Sequence, residues 1–229
     1  MRRKGGLGFL PFDVPETAEI RFLRKLPLEG KVVYDVGAFE GILTLFFAGR
    51  ARQVVSYEPN PRNYARCLEN IRLNQLTNVQ LLNRGVADAA GTLELIYDPR
   101  LPAAGSGNGF IAGQIQSSVR EARKLSIPVI SLDEDIAANH WPMPDFIKID
   151  IEGMELAALR GLRRTISAHR PELYVELHGA AIEDKTENAR AVVGLLDGYG
   201  YRIYDVENAD YVTAATLGER RPSHIYCSA

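Results

Sequence analysis

Asp35, Glu58 and Asp150 each close a short apolar run, and the residues around them are the ones whose types and spacing could do chemistry. The run at Val32 leads through Asp35 into Gly37, Ala38, Phe39, Glu40 and Gly41, two glycines in a Gly-x-x-x-Gly turn. Glycine lacks a Cβ, so such a turn can bend tightly and bring backbone close to a ligand. A second run, Val54–Tyr57, stops at Glu58, followed by Pro59 and Asn60. An acid at that strand end can accept hydrogen bonds from both hydroxyls of a ribose.

The turn departs from the Gly-x-Gly-x-x-Gly spacing that seats a dinucleotide pyrophosphate on a helix N-terminus. It carries Phe39 and Glu40 instead, and an acid there would repel a pyrophosphate. It suits a ligand bearing positive charge, such as the amino and sulfonium groups of S-adenosylmethionine (SAM).

A second constellation is Asp-Phe-Ile-Lys-Ile-Asp-Ile-Glu-Gly-Met-Glu over 145–155. Asp150, Glu152 and Glu155 crowd one strand end beside Lys148, which reads as their ion-pair partner. Methyl transfer to an alcohol needs the oxygen held near attack distance and its proton removed. Asp150 is the first expectation for that base and also borders the cofactor; Glu152 follows on the next turn. Glu155 is equally explained as a helix-start acid. Glu176 and His178 end a later strand on the same rim, and a histidine titrates near neutral pH, as a general base should. Asp150, Glu152, Glu176 and His178 are also an oxygen-rich donor set for Mg²⁺ or Ca²⁺. No spacing demands a metal, and the mechanism is read as metal-free.

The elements that must position these residues alternate. A helix over 15–26, a strand over 31–36, a helix over 42–49, a strand over 53–58, a helix from Pro61 to Asn74 with Asn60 as its cap, and a strand over 79–83 predict a parallel sheet. Two further strands, 91–97 and 126–131, read as an inserted hairpin. The Gly-, Pro-, Ala- and Ser-rich stretch 98–118 between them reads as a long loop, a lid over cofactor and acceptor. Then come a strand over 145–149, a helix over 154–167, a strand over 172–177, a helix over 187–196, and closing strands over 201–206 and 224–227. His140 and Trp141 read as structural. The expected fold is α/β: three layers around a Rossmann-like sheet of about seven mostly parallel strands. A single domain over 1–229 is expected, with a helical extension over 1–29.

Composition bounds the partners. The 229 residues carry 27 Lys and Arg against 29 Asp and Glu, and 46% are hydrophobic. No basic surface for nucleic acid or anionic membrane is implied. Arg2-Arg3-Lys4 has no apolar core behind it, so it does not read as a signal peptide. Two cysteines, Cys67 and Cys227, argue against a disulfide framework or a cysteine zinc site and fit a reducing cytoplasm.

With these motifs in order, the chain resembles the FkbM-like family of SAM-dependent methyltransferases. The matching segments are Tyr34–Gly41, Tyr57–Asn60, Gly85–Gly91, Ser131-Leu132-Asp133, Ile147–Glu155 with Leu159 and Gly161, and Arg170–Glu176. The resemblance covers roughly residues 30–180, and Lys-Ile-Asp-Ile-Glu-Gly-x-Glu is its most discriminating run. It implies an O-methyltransferase acting on a small hydroxylated acceptor, a sugar or natural product. In that frame Asp35 and Gly37–Gly41 carry the methionine part of SAM. Glu58, with Pro59 and Asn60, takes the ribose side, and Gly85 and Val86 line the adenine. Asp88 either bonds the adenine amino group or begins a turn. Asp150, Glu152 and His178 are the catalytic set. Ser117 and Ser118 lie where the family often closes its loop. An N-methyltransferase on RNA or a base, and a non-catalytic SAM-binding module, stay open as alternatives, as does a homo-oligomer.

Overall fold

A computed structural model of the chain describes residues 17–98, 101–118, 121–218 and 220–229. Arg2-Arg3-Lys4 and the first residues of the expected opening helix lie outside the described residues. In chain order the elements begin α1 (Ala18–Lys25), β1 (Val32–Val36), α2 (Ile42–Ala48), β2 (Gln53–Tyr57), α3 (Pro61–Leu73) and β3 (Val79–Leu82). Next come β4 (Gly85–Val86), β5 (Gly91–Asp98), β6 (Leu101–Ser106), α4 (Gly109–Ser118), β7 (Arg123–Ile130) and α5 (Leu132–Asn139). The chain continues through β8 (Phe146–Ile149), α6 (Glu155–Arg160), α7 (Arg163–His169), β9 (Glu172–Glu176) and α8 (Ile182–Gly198). It closes with β10 (Arg202–Asp205), β11 (Asp210–Val212) and β12 (His224–Ser228).

The main sheet has eight strands in the order β11-β10-β12-β9-β8-β1-β2-β3. The five from β3 to β9 are mutually parallel, and β12 runs antiparallel between β9 and β10. Strands buried on both faces read as continuous apolar runs: every residue of β1 and of β8 is buried. The strand order reverses at β1 and β8, so a crevice opens above their carboxyl ends. The helix α3 starts as its sequence demands, with Pro61 in its first turn and the Asn60 side chain accepting from the Arg62 N–H at 3.0 Å.

Four expectations need correction. The sheet has eight strands rather than about seven, because β11 adds a hairpin edge on β10. The inserted hairpin is part of a separate four-stranded sheet, β4-β7-β5-β6, in which β5 and β7 pair antiparallel from Gly91↔Val129 to Tyr97↔Arg123. The expected loop over 98–118 contains β6 and the ten-residue α4. Its small residues masked a strand that gains its hydrogen bonds only by pairing with β5.

The expected single helix over 154–167 is two, α6 and α7, broken around Gly161. A Cβ on Gly161 would lie 2.1 Å from the Ala87 carbonyl oxygen, so the chain passes close to β4 there. Asp133, near the start of the unanticipated α5, then caps the new helix. Its carboxylate accepts from the Arg164 N–H at 2.7 Å and from the Thr165 N–H and hydroxyl at 3.0 and 2.7 Å. That accounts physically for the Ser131-Leu132-Asp133 motif.

Candidate active site

The glycine turn and the acidic turn meet directly above β1 and β8. The N–H groups of Gly37 and Ala38 both donate to the Tyr57 carbonyl at 3.0 Å, and the Asp150 N–H donates to the Val36 carbonyl at 3.0 Å. Gly37 has φ +86°, and a Cβ on it would sit 1.8 Å from the Asp150 carbonyl oxygen. Only glycine lets these two turns touch.

Between them opens a cavity of about 950 Å³, its mouth included. One end is Glu58, 5% exposed. Its Oε2 accepts from the Phe39 N–H at 2.8 Å, and its Oε1 accepts from the Asn60 N–H at 2.9 Å and from the Asn63 amide at 3.4 Å. Burial pushes the Glu58 carboxyl up to about 7, against the pull of those donors. The walls are apolar: Tyr57 from the main sheet, and Val86, Leu93, Leu95, Ile127 and Val129 from the small sheet. At the other end stand Asp150 and Glu152.

Asp35 lies one layer beneath. It is fully buried, accepts from the Thr44 hydroxyl at 2.5 Å, and has Lys148 Nζ 3.5 Å from its other oxygen. Burial raises its pKa, with Lys148 opposing. Lys148, 3% exposed, also reaches Asp150 Oδ2 at 3.1 Å and donates to the Gly37 carbonyl at 2.8 Å. One buried ammonium therefore ties the glycine turn to the acidic turn.

Glu152 occupies a left-handed backbone conformation, φ +53°. Burial pushes its carboxyl up to about 7, reinforced by Asp150, Glu176 and Glu155 and opposed by His178. The turn is held from above. Ser106 donates to the Glu152 carbonyl at 2.5 Å, and the Asn108 amide donates to the Gly153 carbonyl at 2.9 Å. The segment expected as a lid loop thus packs as β6 and α4 onto the acidic turn.

His178 sits in a ring of carboxylates. Its Nδ1 faces Glu155 Oε1 at 3.1 Å, and its Nε2 faces Glu176 at 3.4 Å, Glu152 at 3.7 Å and Asp150 at 3.8 Å. Burial works to lower its pKa, but the bonds to Glu155 and Glu176 and the charges of Glu155 and Glu152 push it up to about 11. That surrounding favours its charged form.

Of the residues singled out in the sequence, Gly37, Phe39, Glu58, Pro59, Asn60, Gly85, Val86, Asp150 and Glu152 line the cavity. Asp35, Ala38, Glu40, Gly41 and His178 are outside the lining. Gly41 instead presses on α3, where a Cβ would lie 2.6 Å from Cys67 Sγ. Glu40 is held by its carbonyl, which accepts from Asn70 at 2.8 Å. Asp88 is exposed, in a separate depression with Arg160, Arg163 and Arg164. Ser117 and Ser118 are exposed on α4. The apolar wall from the small sheet was missed, although Leu93 and Leu95, like Ile127 and Val129, alternate at the period that puts side chains on one strand face. Asn63 and Arg84 were missed too.

The donor set fits SAM. Glu58 presents a buried carboxylate for hydroxyl donors. The acids at the far end suit a positive ligand. Comparison with known proteins agrees in fold and sequence. The chain is 28% identical to the hexuronic acid methyltransferase AglP of Haloferax volcanii, over 74% of this chain and 65% of that protein. It is 27% identical to methyltransferase sdnD of Sordaria araneosa, over 57% of this chain and 60% of that protein. The chain thus spans less than two thirds of the length of these curated relatives. A crystal structure of an FkbM methyltransferase from Methylobacillus flagellatus shares the fold, with a TM-score of 0.53 at 20% identity, covering 90% of this chain and 45% of that one. The model of the methyltransferase FkbM domain matches residues 35–203, well over half the chain, and the chain belongs to that family.

Proposed function

We propose that this protein is a SAM-dependent O-methyltransferase that methylates a hydroxyl of a small acceptor, a sugar or glycosylated metabolite, rather than nucleic acid. The observation that supports it most is one cavity with a buried Glu58 at one end and Asp150 and Glu152 at the other. The sugar acceptor is suggested by the name of the Haloferax relative. The buried, unpaired thiols Cys67 and Cys227 are compatible with a reducing cytoplasm, and among the described residues no helix is long and apolar enough to cross a membrane.

Bound SAM would supply an electrophilic methyl group on a sulfonium. Glu58 would accept the ribose hydroxyls, with Val86, Leu93, Leu95, Ile127 and Val129 packing the adenine. The carboxylates would lie on the sulfonium side and orient the acceptor hydroxyl. For the proton, Asp150 is committed to Lys148, whereas Glu152 lines the cavity with its nearest cation 3.7 Å away. A carboxyl pushed up to about 7 is matched to taking a proton near neutral pH. Glu152 is therefore the general base in this reading, Asp150 a positioning residue and His178 the cation that restrains both.

Isothermal titration tests the base of the reading. SAM and its demethylated product should bind with about micromolar affinity and NAD should not; binding of NAD without SAM overturns it. Glu58→Ala should weaken SAM binding by about 100-fold, the loss of roughly 3 kcal/mol of charge-assisted hydrogen bonding.

A further inference from the structure

A second cluster lies beside the crevice, on residues from opposite ends of the chain. Glu19 projects from α1, Glu176 ends β9, and His224 starts β12 directly opposite Glu176 in the antiparallel register. His224 Nε2 lies 3.5 Å from Glu176 Oε2 and 3.9 Å from Glu19 Oε2. One ligand atom from each residue falls within 4.8 Å of the others. We propose that Glu19, Glu176 and His224 form a binding site for a divalent cation of the Mn²⁺ or Zn²⁺ type, separate from the cofactor cavity.

Three carboxylate and imidazole atoms in proximity would not suffice, since acids gather without ions. The orientation of the histidine carries the inference further. Its Nδ1 is bonded to Glu207 Oε1, and Glu207 Oε2 is itself pinned by the N–H groups of Ser223 at 3.2 Å and His224 at 3.0 Å. A carboxylate on Nδ1 is the outer support typical of metal-ligating histidines and turns Nε2 toward Glu19 and Glu176. Without an ion those carboxylates favour the charged ring, so an ion would take the place of the Nε2 proton. That Nε2 is buried and makes no hydrogen bond.

An independent observation points to the same place. Tyr174, 1% exposed, stacks on the His224 ring with centroids 5.6 Å apart. Its hydroxyl is buried without a hydrogen-bond partner, and its charged neighbours are Glu19, Glu207, Glu176 and Asp150. Buried hydroxyls are nearly always paired. A water on an ion at this site would donate to the Tyr174 oxygen, or the oxygen would ligate directly. One imidazole with two carboxylates is a donor set for Mn²⁺ or Zn²⁺ rather than for Mg²⁺.

Such an ion would clamp α1 to the sheet. Through Glu176, whose other oxygen faces His178, it would also steady the acidic rim of the crevice.

The test uses the full chain, stripped with EDTA, dialysed at pH 7.5 and titrated calorimetrically with ZnCl₂ and separately with MnCl₂. At least one ion should bind once per chain with about micromolar affinity or tighter. Glu19→Gln and His224→Ala should each weaken it at least tenfold, and His178→Ala should bind as wild type does. Should His224→Ala not fold, Glu19→Gln, on a partly exposed helix, decides alone. No binding of either ion overturns the proposal. So does affinity unchanged in Glu19→Gln, or a loss in His178→Ala as large as in His224→Ala, which would move the ion into the crevice.

Discussion

Glu58 is buried with both oxygens bonded by the chain's own N–H groups, and its carboxyl is still pushed up to about 7 from its ordinary value of 4.5. Since the folded pKa is raised, the stability it contributes is complete below pH 4.5 and is lost as pH rises through 7. The loss amounts to about 3 kcal/mol. Binding of hydroxyl donors runs the other way, because it needs the carboxylate. SAM affinity should therefore rise between pH 6 and 8, while the stability difference from Glu58→Gln falls chiefly between pH 4.5 and 7. Glu58→Gln should flatten the pH dependence of affinity, seen by titration calorimetry at each pH; a steep dependence surviving in that variant would remove Glu58 from the ribose site. At the proton-accepting end, Glu152→Gln should cut kcat by about 100-fold or more with SAM affinity held. Asp150→Asn should cost less in kcat and more in acceptor KM. The reverse order would restore Asp150, the base expected from the sequence, to that role. Glu58 and Asp150 were legible because each closes an apolar run, and Glu152 because it follows in the same acid-rich turn. The surroundings of His178 were not, since side-chain type states a pKa near neutrality, and the fold brings Glu155, Glu176 and Glu152 beside it to push that pKa up.

Elements were legible where their hydrogen bonds are local or their burial is continuous. Asn60-Pro61 announced α3, and the apolar runs announced β1, β2 and β8. The segment 101–118 was not legible, because β6 exists only through its pairing with β5, and α4 lies on a turn 45 residues away through Asn108 and Gly153. Gly153 shows how tightly that packing is drawn. At φ +93°, a Cβ there would lie 2.7 Å from Ile111 Cδ1 and 3.1 Å from Asn108 Nδ2. Gly153→Ala should therefore cost about 1–3 kcal/mol for the backbone conformation alone and loosen α4. Limited proteolysis should then cut within 101–118 faster than in wild type, with SAM affinity changed little. Unchanged cleavage would mean that α4 yields without consequence to the turn.

At the scale of the whole molecule, a net charge of -2 goes with a local gathering of acids around a few buried and half-buried cations. Acids from β1, β8, β9 and the turns beyond collect at one sheet edge, because parallel strands bring all their carboxyl ends to the same side. Strand order was legible from alternation, so the edge itself was too. Its compensation was not, since it depends on which side chains the register of β1 and β8 sets opposite one another: Asp35↔Lys148 is such a pair. Lys148 is the cation at the centre, within 3.5 Å of Asp35 and 3.1 Å of Asp150. Removing one member of a buried ion pair leaves its partner uncompensated and costs about 3–5 kcal/mol, whereas replacing both members by apolar or neutral groups costs far less. Lys148→Met should thus lower the unfolding free energy by about that amount. For a chain of this size the midpoint should drop by roughly 6–20 °C, at about 2–4 °C per kcal/mol. Adding Asp35→Asn should restore a good part of the loss, giving a coupling of about 1–3 kcal/mol in a double-mutant cycle by urea denaturation. Additive losses would mean that Asp35 does not draw on Lys148 and is held through Thr44 alone. The double variant should bind SAM more weakly than wild type even where stability returns, because the same ammonium fixes the Gly37 carbonyl and hence the shape of the glycine turn.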